Sequence, residues 1–314
     1  MMPKRFAILS VFLGLAAVAL FVSRTDAKPE TIEQIAPGVW FREGDLTNLG
    51  HCNNIVIEMK DYLIVVDANF PNGARATMED VKRVSSKPVK YVFDTHHHGD
   101  HSYGNAVWTG AGATTLAYRG VAEEMKRYEP ARWQQAAKER PDVAEMHQPS
   151  VQPPQQTFNE NLFVLDDGSR KVEFHFYGWA HTRGDGFVYL PKEQILCTGD
   201  AVVNGPYNFT GDGNIGNWPQ VVRAAQKLKV KTVLPGHGVP GGPEVMAGQA
   251  LFMVELRKAV KSAVDQGQKP ADFAKLQLPD SVKNWVGDGL AAQAKDAYEE
   301  ITQGKPHGEI QGGK

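Results

Sequence analysis

Six consecutive residues, His96-His97-His98-Gly99-Asp100-His101, constrain this chain more than any other feature. They follow, after Thr95, on Lys90–Asp94, a short run that reads as a buried strand. On an extended chain, residues two apart point the same way, so His96 and His98 can share one metal ion. Gly99 permits a turn, beyond which Asp100 and His101 can reach a second ion. Imidazole and carboxylate are the ligands of catalytic zinc sites, where one coordination position stays open for water. A His-rich tract can also be a loose metal sponge. This one lies at a strand end and has an aspartate interleaved, which argues for a built site that distant residues must complete.

The rest of the sequence supplies a scaffold large enough for that. The chain has 314 residues, 22% of them charged, and a net charge of −2, which describes a globular protein and gives no basis for a nucleic-acid partner. Lys4 and Arg5 precede a mostly apolar stretch from Phe6 to Val22. This reads as a secretory signal with cleavage after Ala27, which would place the remainder in the periplasm or outside the cell. Left uncleaved, the segment would be a membrane anchor, the one membrane contact expected. Cys52 and Cys197 both lie in apolar strand-like segments and are expected as buried free thiols.

Two strand-rich halves are visible. The first has strands at 32–35, 39–42, 54–59 and 62–67, a helix at 73–86, and the strand before the histidine loop. Residues 117–150 have helical composition, with Pro130, Pro141 and Pro149 expected to divide them into short helices. The second half has strands at 161–166, 171–177, 186–190 and 194–198, a helix at 219–229 and a strand at 232–234. From Pro243 the pattern is helical. Two sheets packed together with helices outside make a layered α/β architecture.

The motif His-x-His-x-Asp-His at 96–101 is followed by Gly178-Trp-Ala-His181-Thr182, by Thr198-Gly-Asp200 and by Pro235-Gly-His237-Gly. Taken in this order, the pattern resembles the metallo-β-lactamase superfamily over about residues 30–240. The resemblance implies a four-layer αββα sandwich. With the N-terminal segment and the helical stretches read above, the chain is expected to divide into a signal peptide (1–27), a metallo-β-lactamase-like domain (28–242, with a helical insertion at about 117–150) and a C-terminal helical extension (243–314). The resemblance also implies that His96, His98 and His181 hold one ion, that Asp100, His101 and His237 hold a second, and that Asp200 bridges them. The expected cofactor is two Zn²⁺ per chain, with Fe and Mn as alternatives. The implied activity is hydrolysis of an ester, thioester, lactone or lactam by a metal-bridging hydroxide, with Asp100 as proton shuttle. A bridging aspartate resembles the glyoxalase II and lactonase pattern; the best-known broad-spectrum β-lactamases carry a cysteine there, and Cys197 is three positions too early. A periplasmic β-lactamase is the alternative reading, and a di-iron redox or oxygen-binding protein is the alternative of another class.

Around the ligands, Asp67, Asn53 and Asn54 stand at strand ends, where polar groups can orient metal-binding imidazoles. Two loops should border the site, 43–51 and 204–218. The second offers Tyr207, Asn208, Phe209 and Trp218 toward a small-molecule substrate. It also contains Gly211-Asp-Gly-Asn-Ile-Gly216, formally G-x-G-x-x-G; without a preceding strand or a following acidic residue, it reads as a flexible loop. His97 is expected to point away from the metals. The oligomeric state is left open.

Overall fold

The computed structural model describes residues 31–45 and 51–304. The expected signal segment, positions 46–50 of the first border loop and the tail from 305 lie outside the described residues.

The first sheet has seven strands in chain order. β1 (Ile32–Ala36), β2 (Val39–Arg42), β3 (Asn54–Glu58) and β4 (Leu63–Val66) form an antiparallel meander. β5 (Val89–Asp94), β6 (Thr114–Tyr118) and β7 (Gln156–Phe158) continue it in parallel from β4. The second sheet contains β8 (Leu162–Asp166), β9 (Lys171–Phe176), β10 (Gly186–Leu190) and β11 (Ile195–Cys197), antiparallel in succession. β12 (Thr232–Leu234) lies parallel to β11 at its edge.

The sheets face each other across an apolar layer that includes Phe41, Ile55, Phe93 and Leu116 from one and Val172, Phe174, Val188 and Ile195 from the other. The rings of Phe93 and Phe174 lie 4.7 Å apart between centroids. Outside the first sheet pack α1 (Pro71–Val84), the short α2 (Gly99–Ser102) and α3 (Asn105–Gly110), α4 (Arg119–Glu139) and the single turn α5 (Pro141–Ala144). Outside the second pack α6 (Trp218–Ala225), α7 (Glu244–Asp265) and α8 (Leu290–Gln303). This is the αββα sandwich. Among the described residues no helix is long and apolar enough to cross a membrane.

The insertion differs from expectation at Pro130. Instead of breaking the segment, Pro130 sits inside one 21-residue helix, α4. A mid-helix proline forfeits a backbone bond at a cost of about 3 kcal/mol. Here Val121, Met125 and Trp133, spaced four and eight apart, bury one face against the first sheet's outer layer. Burial of residues of this size contributes roughly 1.5–3 kcal/mol each, enough to offset the proline. The helices expected at 73–86 and 219–229 begin slightly earlier, with Pro71 and Pro219 in their first turns, where the missing N–H costs nothing.

The C-terminal ends of the parallel strands β4 and β5 in one sheet, and β11 and β12 in the other, open onto one rim. Open α/β sheets place ligands at such ends.

Candidate metal centre

Six of the seven predicted ligands leave those strand ends. β5 runs into Thr95 and the loop of His96, His98, Asp100 and His101. β11 runs into Thr198-Gly199-Asp200, and β12 into Pro235-Gly236-His237. His181 comes from the β9–β10 connection. Two glycines make the close approach possible. Gly199 has φ +47°, and a Cβ there would meet Thr95 Oγ1 at 2.4 Å; a Cβ on Gly236 would lie 2.1 Å from Asp200 Oδ1.

The seven side chains converge. Ligand atoms of His96, His98 and His181 lie within 4.8 Å of one another, as do those of Asp100, His101 and His237, and those of His96, His101 and Asp200. Asp200 therefore stands between two trios. Its Oδ2 is 3.8 Å from His181 Nε2 and 3.4 Å from His237 Nε2, and its Oδ1 is 3.3 Å from His101 Nε2. Asp100 Oδ2 lies 3.1 Å from His237 Nε2.

The outer nitrogens are held by polar partners, and this sets which nitrogen faces inward. His101 Nδ1 is 2.8 Å from Asp67 Oδ2, and Asp67 Oδ1 accepts the Thr95 amide at 2.8 Å. Asp67 has φ +67°, a left-handed conformation that aspartate tolerates and that turns both oxygens toward the loop. His181 Nδ1 is 3.0 Å from the Phe209 carbonyl, and its Nε2 is 2.9 Å from His98 Nδ1. His98 Nε2 meets Asp212 at 2.8 Å. Asn53 donates to the Pro235 and Gly238 carbonyls at 2.9 and 2.8 Å, pinning the turn that carries His237. Asn54 lies one step further out and donates to the Asp67 carbonyl at 2.8 Å.

The donors fit a metal pair. His96 is buried, and its Nε2 has no hydrogen-bond partner among the described residues, although buried polar atoms are rarely left so. Burial pushes the imidazoles of His96, His98 and His181 down, His98 to about 4 and His181 to about 3, so they are neutral electron-pair donors. Burial acts the same way on His101 and His237. There it is overcome, first by Asp200, then by Asp67 at His101 and Asp100 at His237, and His237 rises to about 10. Burial also works against charge on Asp100 and Asp200, yet the charges of His101 and His237 hold both carboxyls well below their usual range. At the second trio the protons of His101 and His237 balance the Asp100 and Asp200 carboxylates, in the place a divalent ion would take.

Above the ligands is a cleft of about 340 Å³. Its floor is His98, Gly99, Asp100, Asp200 and His237; its walls are Tyr103, Glu129, Arg132, Tyr207 and Phe209. Tyr207 and Phe209 are 36% and 51% exposed at its rim. The two other residues expected there are elsewhere. Trp218 is fully buried, donates to the Ala201 carbonyl and packs edge-on to His181, so it belongs to the core. Asn208 accepts from Gln249 of α7 at 2.7 Å. His97 does point away from the metal cluster, into a buried space beside Glu129 and Asp212. His51 packs edge-on to Phe70, and burial lowers its pKa. Both cysteines are free and buried.

Sequence reasoning missed Asp212, Glu129, Arg132 and Tyr103. Arg132 makes a two-point contact with Asp212 at 2.6 and 2.9 Å, and Tyr103 donates to Glu129. Burial pushes the Glu129 carboxyl up to about 7.

Residues 47–237 match the family model of the metallo-beta-lactamase superfamily. The chain belongs to that superfamily. It is a metal-dependent hydrolase by family. It is 26% identical to a metallo-beta-lactamase type 2 of Bacillus sp. (strain 170), over 71% of this chain and 82% of the other. It is 27% identical to the 2,4-dinitroanisole O-demethylase subunit alpha of Nocardioides sp. (strain JS1661), over 66% of this chain and 57% of that one. Among solved structures, a metallo-beta-lactamase from Pontibacter korlensis shares the fold with a TM-score of 0.57 at 20% identity, covering 71% of this chain and 98% of the other.

Proposed function

We propose that the chain is an exported dizinc hydrolase of an ester, thioester or lactone. The observation that carries this reading is the place of Asp200, whose carboxylate stands between the two ligand trios, so that the seven converging donors are all nitrogen or oxygen. Cys52 lies behind them with Asp67 and His101, fully buried, and burial pushes its thiol up to about 12. Cys197 is fully buried in the layer between the sheets, and burial pushes its thiol up, so it offers no thiolate to the centre. Zinc takes imidazole and carboxylate donors in catalytic sites. A bound pair would supply a nucleophilic water near neutral pH and polarise the substrate carbonyl.

The chain's own residues do the rest. Neutral His96, His98 and His181 present lone pairs. Asp100 is on the cleft floor, where its carboxylate can take a proton from the attacking water and hand it to the leaving group. Tyr207 and Phe209 flank that floor and can grip an apolar portion of the substrate.

Similarity to type 2 metallo-beta-lactamases favours a second reading, a β-lactamase. One panel separates them. Purified protein is assayed for zinc, iron and manganese, then given a lactone, a thioester and a chromogenic cephalosporin. The first reading expects two zinc ions and preference for lactone or thioester. Preference for the cephalosporin replaces it with the second, and iron with no hydrolysis overturns both. Asp200→Ala should lose an ion and about 100-fold or more in kcat/KM, since residues behind the ligands alone contribute about 10–100-fold. Export is tested by fractionation and N-terminal sequencing, with Lys28 expected as the first mature residue.

A further inference from the structure

We propose that Asp212, the second residue of the glycine-rich segment Gly211–Gly216, is a positioning residue for the ligand His98, and that Arg132 of α4 sets Asp212 in place. The proposal rests on the reading of His98 as a metal ligand and goes beyond it.

The geometry at His98 is two-sided. Nδ1 faces the first trio, 2.9 Å from His181 Nε2; Nε2 is 2.8 Å from Asp212 Oδ2. A neutral imidazole has one N–H. A carboxylate on Nε2 keeps the proton there and leaves the Nδ1 lone pair inward, making the ring a better donor. Asp212 is itself fixed. Its side chain is only 8% exposed, and the Arg132 fork grips both oxygens at 2.6 and 2.9 Å. Such a two-point contact defines the plane of a carboxylate, as a lysine could not. The backbone is held as well. The Asp212 carbonyl accepts from Trp179 Nε1 at 2.8 Å, and the amide of Asn214 donates to the Ala180 carbonyl at 2.8 Å, next to His181. The segment read from its glycines as a flexible loop is thus anchored to the element that carries another ligand. Three parts of the chain meet at this carboxylate: the histidine loop, the 204–217 loop and the insertion helix.

The alternative is an ordinary ion pair that joins loop to helix and touches His98 incidentally. An ion pair of that kind affects stability but leaves metal affinity unchanged. The full chain, its Asp212→Asn variant and its Arg132→Lys variant are stripped and titrated with Zn²⁺ against a chromophoric chelator. Asp212→Asn should weaken the first-bound ion about 10–100-fold, the range for carboxylates behind metal-bound histidines. Arg132→Lys, which leaves the carboxylate but loses the fork, should weaken it by less. A first-ion affinity equal to wild type in both variants overturns the proposal. A variant-free measurement covers failure to fold: ¹⁵N-histidine spectra of the Zn²⁺-loaded wild type should show one bound histidine ligated through Nδ1. A spectrum in which every bound histidine is ligated through Nε2 overturns the proposal too. A wild type that binds no Zn²⁺ at all sinks the metal reading itself, a different result from either.

Discussion

At the scale of single residues, the cluster of proposed metal ligands was readable because most of its members are local. Four lie in one six-residue run, Asp200 and His237 each stand beside a glycine just past a strand, and His181 follows Gly178 in a strand connection, so type and spacing carry the chemistry. What lies behind them was readable only in part. Asp67 and Asn53 stood out as polar groups at strand ends. Asp212 did not, because it is 114 positions from His98 and 80 from Arg132, and no periodicity links them. Asp67 gives the first prediction. Its two oxygens hold the Thr95 amide and His101. Asp67→Asn should weaken the second ion by about 10–100-fold, so that dialysed protein retains one equivalent by metal analysis; two retained equivalents would contradict it. Charge gives the next. In stripped protein, His237 holds a proton up to about pH 10, and His101 is raised as well. A divalent ion entering the second trio must displace those protons. Its affinity should therefore climb as pH rises toward that value and fall as acid restores the competitor. The first trio is neutral already and should respond much less above about pH 5. Zinc titrations at several pH values, with proton release followed in weak buffer, check both halves.

At the scale of elements, strands were easier to place than the insertion. Alternating and apolar runs marked the strands, whereas Pro130 argued for a break that buried Val121, Met125 and Trp133 overrule. Propensity is local, and the packing that defeats it is not. The 204–217 loop shows the same limit. Its glycines suggest mobility, yet α8 holds it: Glu300 accepts the Ile215 and Gly216 amides, both at 2.8 Å, and Asp296 accepts from Thr210 Oγ1 at 2.6 Å. The Glu300 side chain is 9% exposed and Ile215 is fully buried. Leaving two such amides without their acceptor costs about 1–3 kcal/mol each. Glu300→Ala should lower the urea midpoint of the zinc-loaded protein accordingly and speed protease cleavage between 204 and 217. An unchanged midpoint would mean that water replaces the carboxylate at no cost.

At the scale of the whole molecule, the C-terminal helices are part of the sandwich, whereas the helical periodicity of their sequence named no partner for them. α7 and α8 cover the second sheet. Val245, Met246, Phe252, Met253 and Leu256 of α7, with Trp285 from the turn before α8, share one cluster with Trp218, Val222, Leu196 and Val233. Burying a large apolar side chain contributes roughly 1.5–3 kcal/mol, so those six alone contribute about as much as the 5–15 kcal/mol by which a typical domain is stable. Trp285 also donates to the Val203 carbonyl at 3.0 Å, a few residues beyond Asp200, so the same packing supports the metal centre. A chain ending at Gly242 keeps all seven ligands and loses this cover. It should fail to fold: no cooperative thermal transition, no dispersed amide spectrum, and no Zn²⁺ held against a chelator. A truncated protein that melts cooperatively and still binds two ions would show instead that the helices are an addition to a self-sufficient core.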